Sequence, residues 1–123
     1  MTEFDIDSLK FDDKGLIPAI AQDGQNGEVL MMAWMNAASI KETIETGRVV
    51  YWSRSRQAFW RKGDTSGHIQ KLIDFRFDCD RDCLLLIVDQ TGAACHTHRR
   101  SCFYTGVRDG AEVELSKPID GSA

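Results

Sequence analysis

The chain has 123 residues with 42% hydrophobic content, enough for one core and too little for two. Its formal charge of -4, from 15 Lys+Arg against 19 Asp+Glu, argues against a general nucleic-acid or anionic-membrane binder. The acidic start MTEFDIDSLKFDDKG lacks a basic and apolar leader, and no window is long and apolar enough to span a bilayer, so the expectation is a single cytoplasmic domain over residues 1–123.

In chain order, residues 1–14 read as loosely structured, the organised core as about 15–115, and SKPIDGSA at 116–123 as loose again. LIPAIAQD and EVLMMAWM are apolar runs separated by GQNG, which predicts a hairpin turning around Asp23 to Gly27. NAASIKETIETG predicts a short helix capped by Asn36, with Ile40 and Ile44 sharing a face and Gly47 as the stop. RVVYWSRS predicts a strand. IQKLIDFRFD predicts another, with Ile69, Ile73, Phe75 and Phe77 on one face and Gln70, Asp74, Arg76 and Asp78 on the other. CLLLIVDQ is a short apolar run of strand length, and CFYTGV and AEVEL complete the set. The pattern is a β-rich α+β domain of six or seven strands and one main helix.

Three stretches carry chemistry. Residues 78–83 read DCDRDC, hard carboxylate and soft thiol ligands interleaved. Taken as extended backbone, the stretch places Asp78, Asp80 and Asp82 on one face and Cys79 with Cys83 on the other. Three carboxylates so close call for a divalent cation or neighbouring bases, although a solvated acidic edge has the same composition. A calcium loop is excluded because Cys83 stands where the glycine is needed and LLLIV follows as a strand.

The second stretch is CHTHRRSC, Cys95 to Cys102. With Cys79 it offers three thiolates and an open position for water; with Cys83 added it offers a closed structural site, and spacing leaves both open. His96 is a candidate proton shuttle or ligand, and His98 reads as packed beside the arginines or exposed. The third stretch, RVVYWSRSRQAFWRKGDTSGHIQ, interleaves bases with Tyr51, Trp52, Phe59 and Trp60 and suits a ligand with phosphates and a ring. GDTSG, Gly63 to Gly67, adds amides and hydroxyls for a phosphate.

Together YWSRSR, WRKGDTSGHIQ, DCDRD and ACHTHRRSCF, with LMMAWMN at 30–36, resemble the phosphoribosyl-AMP cyclohydrolase family of histidine biosynthesis over about residues 15–107. The resemblance implies hydrolysis of the N1–C6 bond of the adenine ring of phosphoribosyl-AMP by a zinc-activated water, in the monofunctional form of the enzyme. It implies an intertwined homodimer in which Cys95 and Cys102 bind Zn2+ with Cys79 of the other subunit, and in which Asp78, Asp80 and Asp82 bind Mg2+. His96 matches the proton-transfer position, with His68 a second candidate. By chemistry, Trp52, Arg54, Ser55, Arg56, Lys62, Thr65, Ser66, Arg99 and Arg100 are candidates for binding the nucleotide and its phosphates. Cys83 and His98 depart from the family pattern, His98 standing where glycine is common. The alternative is a structural four-cysteine zinc module whose basic aromatic strand binds single-stranded nucleic acid. A zinc deaminase of the nucleoside type is excluded because H-x-E and P-C-x-x-C are missing.

Overall fold

The computed structural model describes residues 3–119. Its elements are β1 (Ile17–Asp23), β2 (Val29–Met35), α1 (Ala37–Thr46), β3 (Val50–Ser53), β4 (Ala58–Arg61), β5 (Gln70–Phe77), β6 (Leu84–Gln90), β7 (Thr105–Arg108) and β8 (Ala111–Glu114). This is the β-rich α+β class expected. The strand beyond the seven read from the sequence is β4, whose AFWR lies inside the basic stretch and alternates too briefly to register as a pattern.

β2-β1-β6-β5 form one sheet, and β3-β4 and β7-β8 are separate hairpins. β1 runs antiparallel to β2 and parallel to β6. The sheet's inner face is set by alternation: Ile17, Ala19 and Ala21 of β1 and Leu84, Leu86 and Val88 of β6 are all fully buried. Leu30, Met35, Ile40, Val49 and Tyr51 close over them. On the other face Pro18, Ile20, Leu85 and Ile87 are half-buried, and Met32, paired with Ile20, is 44% exposed. Both sides of the sheet are therefore apolar.

α1 begins with a capping box. The Asn36 side chain accepts from the Ser39 N–H at 2.8 Å, and the Ser39 hydroxyl accepts from the Asn36 N–H at 3.0 Å. It ends at Gly47, whose φ of 75° is the left-handed conformation that glycine adopts without strain. Ile44, expected inward with Ile40, is 42% exposed. Thr43 takes the inward place because its hydroxyl bonds both Ser39 O at 2.8 Å and the Val50 N–H at 2.9 Å, tying the helix to β3.

Two further expectations are corrected. The β5–β6 register shifts between Leu72 and Asp74, so Ile73 bulges out at 58% exposure and the uniform parity expected for β5 fails. Gln70 before the bulge is fully buried and Phe75 after it packs on the core. Residues 3–14 are docked rather than loose. Leu9 is buried, Ile6 and Phe11 pack against the core, and Phe4 stacks 5.8 Å from Phe77. Their apolar side chains cover part of the inner face that strands alone leave open. At the other end Ile119 N–H donates to His98 O at 2.9 Å; residues 120–123 lie outside the described residues.

Candidate functional site

The β3–β4 hairpin, the loop leading into β5 and the loop after β6 enclose a cleft of about 850 Å³. It brings together Ser55, Arg56 and Lys62 from the hairpin, Thr65, Ser66 and His68 from the following loop, and Cys95, His96 and Cys102 from the last. A second cleft of about 790 Å³ shares Ser53, Ser55 and Trp60 with the first and holds Trp52 and Arg54. Lys14 and Trp34 also line it and went unnoticed in the sequence, Lys14 because it sits among acids in the N-terminal segment.

The thiol loop is folded tightly. Cys95 and Arg99 are bonded N–H to O at 3.1 Å, and His98 N–H returns to Cys95 O at 3.1 Å. His98 has a φ of 67°, a conformation that favours glycine, so this departure from the family pattern sits at a left-handed turn position. Cys102 is fixed by its own N–H to Leu30 O at 2.7 Å. Burial pushes the Cys95 thiol up, but the hydroxyl of Thr97 at 3.1 Å from its sulfur, the Thr97 N–H, the Cys102 thiol and the Arg99 charge outweigh this and leave it lowered. Cys102 is pushed up to about 11, first by burial and then by the neighbouring Cys95. Although Cys102 is exposed as a residue, its thiol is thus partly enclosed against Cys95. Such a pair shares a proton that a soft cation would displace, so the donor chemistry fits zinc. Among the described residues, however, no third His, Cys, Asp or Glu ligand atom lies within 4.8 Å of both sulfurs.

DCDRDC is not a strand, so the separation of its ligands by strand parity does not hold. Residues 78–83 are the loop between β5 and β6, closed by Asp78 N–H to Cys83 O at 3.0 Å and turned by Arg81 at φ 66°. Asp78 reaches back to accept from the Asp82 N–H at 3.0 Å and the Cys83 N–H at 3.3 Å. The loop still converges the three acids, with ligand oxygens of Asp78, Asp80 and Asp82 all within 4.8 Å of one another. Their mutual strain is visible in Asp82, pushed up to about 6 by hydrogen bonds shared with Asp80 and Asp78. Asp78 is lowered: desolvation works the other way, but the Asp82 N–H and the shared protons prevail. Three exposed oxygens of this kind fit a hard divalent cation. Cys79 is exposed on the same loop. Cys83 is half-buried at its base, its thiol pushed up by burial and then by the three aspartates.

The fold also sorts the arginines. Arg99 bonds Glu114 at 2.5 Å and lies 4.0 Å over the Tyr104 ring, and Arg100 is paired with Asp23 and, at 3.0 Å, with Glu28. Neither lines either of these two clefts, so they are not gathered there with the other phosphate candidates. Arg61 is bound to Glu42 at 2.6 Å and Arg48 to Asp64 at 2.6 Å. Lys14, Arg54, Arg56 and Lys62 have no carboxylate partner among the described residues; Arg54 instead lies 4.7 Å over the Trp34 ring.

His68 is supported from behind. Its ring rests on Gly92, where an added Cβ would stand 2.7 Å from His68 Cδ2. Gln90 Nε2 donates to His68 O at 3.4 Å, and Gln90 Oε1 accepts from Gln70 Nε2 at 2.9 Å. His96 faces the same cleft from the thiol loop.

Among the described residues no helix is long and apolar enough to cross a membrane. A model of the phosphoribosyl-AMP cyclohydrolase family matches residues 31–104, which contain every cleft residue except Lys14 and Leu16. The chain is 68% identical over 120 residues to the phosphoribosyl-AMP cyclohydrolase of Paracoccus denitrificans, covering 98% of this chain and 99% of the relative. It is 70% identical over 117 residues to that of Dinoroseobacter shibae, covering 95% and 98%. At that identity, spread over both chains almost end to end, the chain belongs to the phosphoribosyl-AMP cyclohydrolase family.

Proposed function

We propose that the protein opens the adenine ring of 1-(5-phosphoribosyl)-AMP between N1 and C6, the cyclohydrolase step of histidine biosynthesis, as a cytoplasmic homodimer carrying zinc and magnesium. The observation that carries the metal reading is the incomplete thiol pair: Cys95 and Cys102 face a cleft lined with bases and histidines, but no third ligand among the described residues joins them. Cys79 is exposed on another loop and is free to serve the site of a second copy. The apolar outer face of the sheet, with Met32 at 44% and Ile73 at 58% exposure, supports pairing with that copy.

Zinc held by three thiolates acts as a Lewis acid that makes water nucleophilic near neutral pH. The remaining work falls to the chain. Substitution at N1 leaves C6 electron-poor; when water oxygen joins C6, the N1–C6 bond breaks and C6 with its amino group becomes the carboxamide. N1 departs with the second phosphoribosyl arm and needs a proton, for which His96 and His68 are the cleft's two candidates. Arg56, Thr65 and Ser66 in one cleft and Lys14 and Arg54 in the other suit the two phosphates, while Trp52, Trp34 and Trp60 border rings. Asp78, Asp80 and Asp82 would hold magnesium.

The test is subunit exchange. Cys79→Ser and Cys95→Ser proteins, each inactive alone, are mixed and assayed for ring opening after zinc is removed and restored. Partial recovery on mixing is expected, because one hybrid site then has all three thiols. No recovery despite demonstrated exchange places each site within one chain, and undiminished activity of the zinc-free protein rejects the metal reading.

A further inference from the structure

Lys62 is the most deeply placed cation of the cleft, only 6% exposed. Its ammonium donates to Ala94 O at 2.5 Å and lies 5.1 Å from the Trp60 ring centroid, contacts that carry no full negative charge. Asp64, which lines the same cleft, is taken by Arg48, whose guanidinium also bonds Lys62 O at 3.0 Å. A buried ammonium without a carboxylate is costly unless another anion answers it. Two anions are available here, the thiols beside Ala94 or a substrate phosphate.

The geometry favours the thiols. Ala94 directly precedes Cys95, so the ammonium is bonded to the backbone that presents the first ligand, and Cys102 lines the same cleft. Arg56, by contrast, is exposed at the cleft and can reach a phosphate without burying an unpaired charge. Three thiolates around a divalent ion also leave one excess negative charge, which a fixed cation beside them would offset. We propose that the Lys62 ammonium is the counterion and positioning residue of the Cys95–Cys102 thiolate pair, and not a phosphate ligand. This rests on the zinc reading given above.

The experiment compares Lys62→Gln and Lys62→Arg with the unmodified protein by zinc competition against a chromophoric chelator, alongside steady-state kinetics on phosphoribosyl-AMP. Lys62→Gln is expected to weaken zinc about 10–100-fold, the usual effect of removing an outer partner of a metal site, with KM measured on the zinc-saturated enzyme within about twofold. Lys62→Arg, which keeps the charge, should restore most of the zinc affinity. Unchanged zinc affinity with a KM raised tenfold or more, roughly the loss of one charge-assisted hydrogen bond, overturns the proposal in favour of a phosphate ligand. If Lys62→Gln does not fold, Co2+-loaded Lys62→Met, which keeps an apolar stem and removes the charge, decides: a shifted thiolate-to-metal absorption band is expected, and a band identical to that of the unmodified protein overturns the proposal. An unmodified protein that takes up no zinc rejects the metal reading itself, an outcome distinct from zinc that binds equally with and without Lys62.

Discussion

Replacing Tyr51 by Phe removes one oxygen from the centre of the molecule and tests how the core is joined to the cleft. Tyr51 is fully buried, and its hydroxyl donates to Gln70 Oε1 at 2.6 Å. Gln70, also fully buried, passes the chain on through Gln90 to the backbone of His68. Without the hydroxyl, Gln70 Oε1 has no donor among the described residues, and an unsatisfied buried acceptor costs about 1–3 kcal/mol. At about 2 cal/mol/K per residue of unfolding entropy, each kcal/mol lowers Tm by roughly 4 °C in a chain of this length, so the expected fall is about 4–12 °C. Burial, reinforced by the charge of Cys102, raises the Tyr51 hydroxyl, so it remains a donor at ordinary pH and the loss should be the same at pH 6 and pH 8. Thermal unfolding by circular dichroism at fixed protein concentration measures it. A fall below about 2 °C, or one that grows with pH, would refute the argument that Gln70 depends on this single donor.

Gly92→Ala should lower Tm by a few degrees, because φ at that position is 67°, and should reduce kcat about tenfold by pushing the His68 ring off its seat. A Tm loss with unchanged kcat would show that His68 need not be held there. At the acidic loop the sign follows from Asp82, raised to about 6 above an unfolded value near 3.8. Its contribution to stability is present below the unfolded value and lost as pH rises through about 6. Magnesium should therefore raise Tm more at pH 7.5 than at pH 5; equal gains at both would place the ion elsewhere. Because Cys102 is raised to about 11, the metal-free pair keeps that proton at neutral pH and zinc must displace it. Chelator competition at pH 6, 7 and 8 should show affinity rising about tenfold or more per unit, one decade for each thiol proton released, and a flat profile would mean that this pair is not the site.

What the sequence shows plainly is whatever follows from short-range pattern. The β1–β2 hairpin, the Asn36 cap and the Gly47 stop are each fixed by a few neighbouring residues, and the structure forms them as read. The misreadings share a cause, which is that a local break in period is decided by partners far along the chain. Ile73 bulges because β5 must pair with β6, and DCDRDC turns because Leu84 must align opposite Phe77. The carboxylates were still grouped correctly in the sequence, since a six-residue loop brings them together as well as one face of a strand would. For the thiols the residue types offer both a three-thiolate and a four-thiolate set, and only the family resemblance chooses between them. Nothing in C-x6-C spacing says that Cys102 is held by Leu30 and Cys95 by a turn, or that Cys79 stands apart from both.

The cations make the same point in electrostatic terms. Arg54, Arg56, Lys62, Arg99 and Arg100 are equivalent candidates in the sequence, since each lies beside a motif residue and each is basic. Folding makes them different by assigning carboxylates to some and not to others. Asp23 and Glu28 at the β1–β2 turn neutralise Arg100, and Glu114 of β8 neutralises Arg99, so two hairpins from opposite ends of the chain hold the thiol loop through its arginines. Lys14, Arg54, Arg56 and Lys62, four of the cations with no carboxylate partner among the described residues, line the two clefts. A chain of net charge -4 thus gathers positive charge at the clefts, where the proposed doubly phosphorylated substrate would bind. It follows that charge removal at Arg100 and at Arg56 should act on different quantities. The first strips a partner from Asp23, only 6% exposed, and loosens the loop that carries Cys95; the second leaves the fold alone and weakens the hold on phosphate.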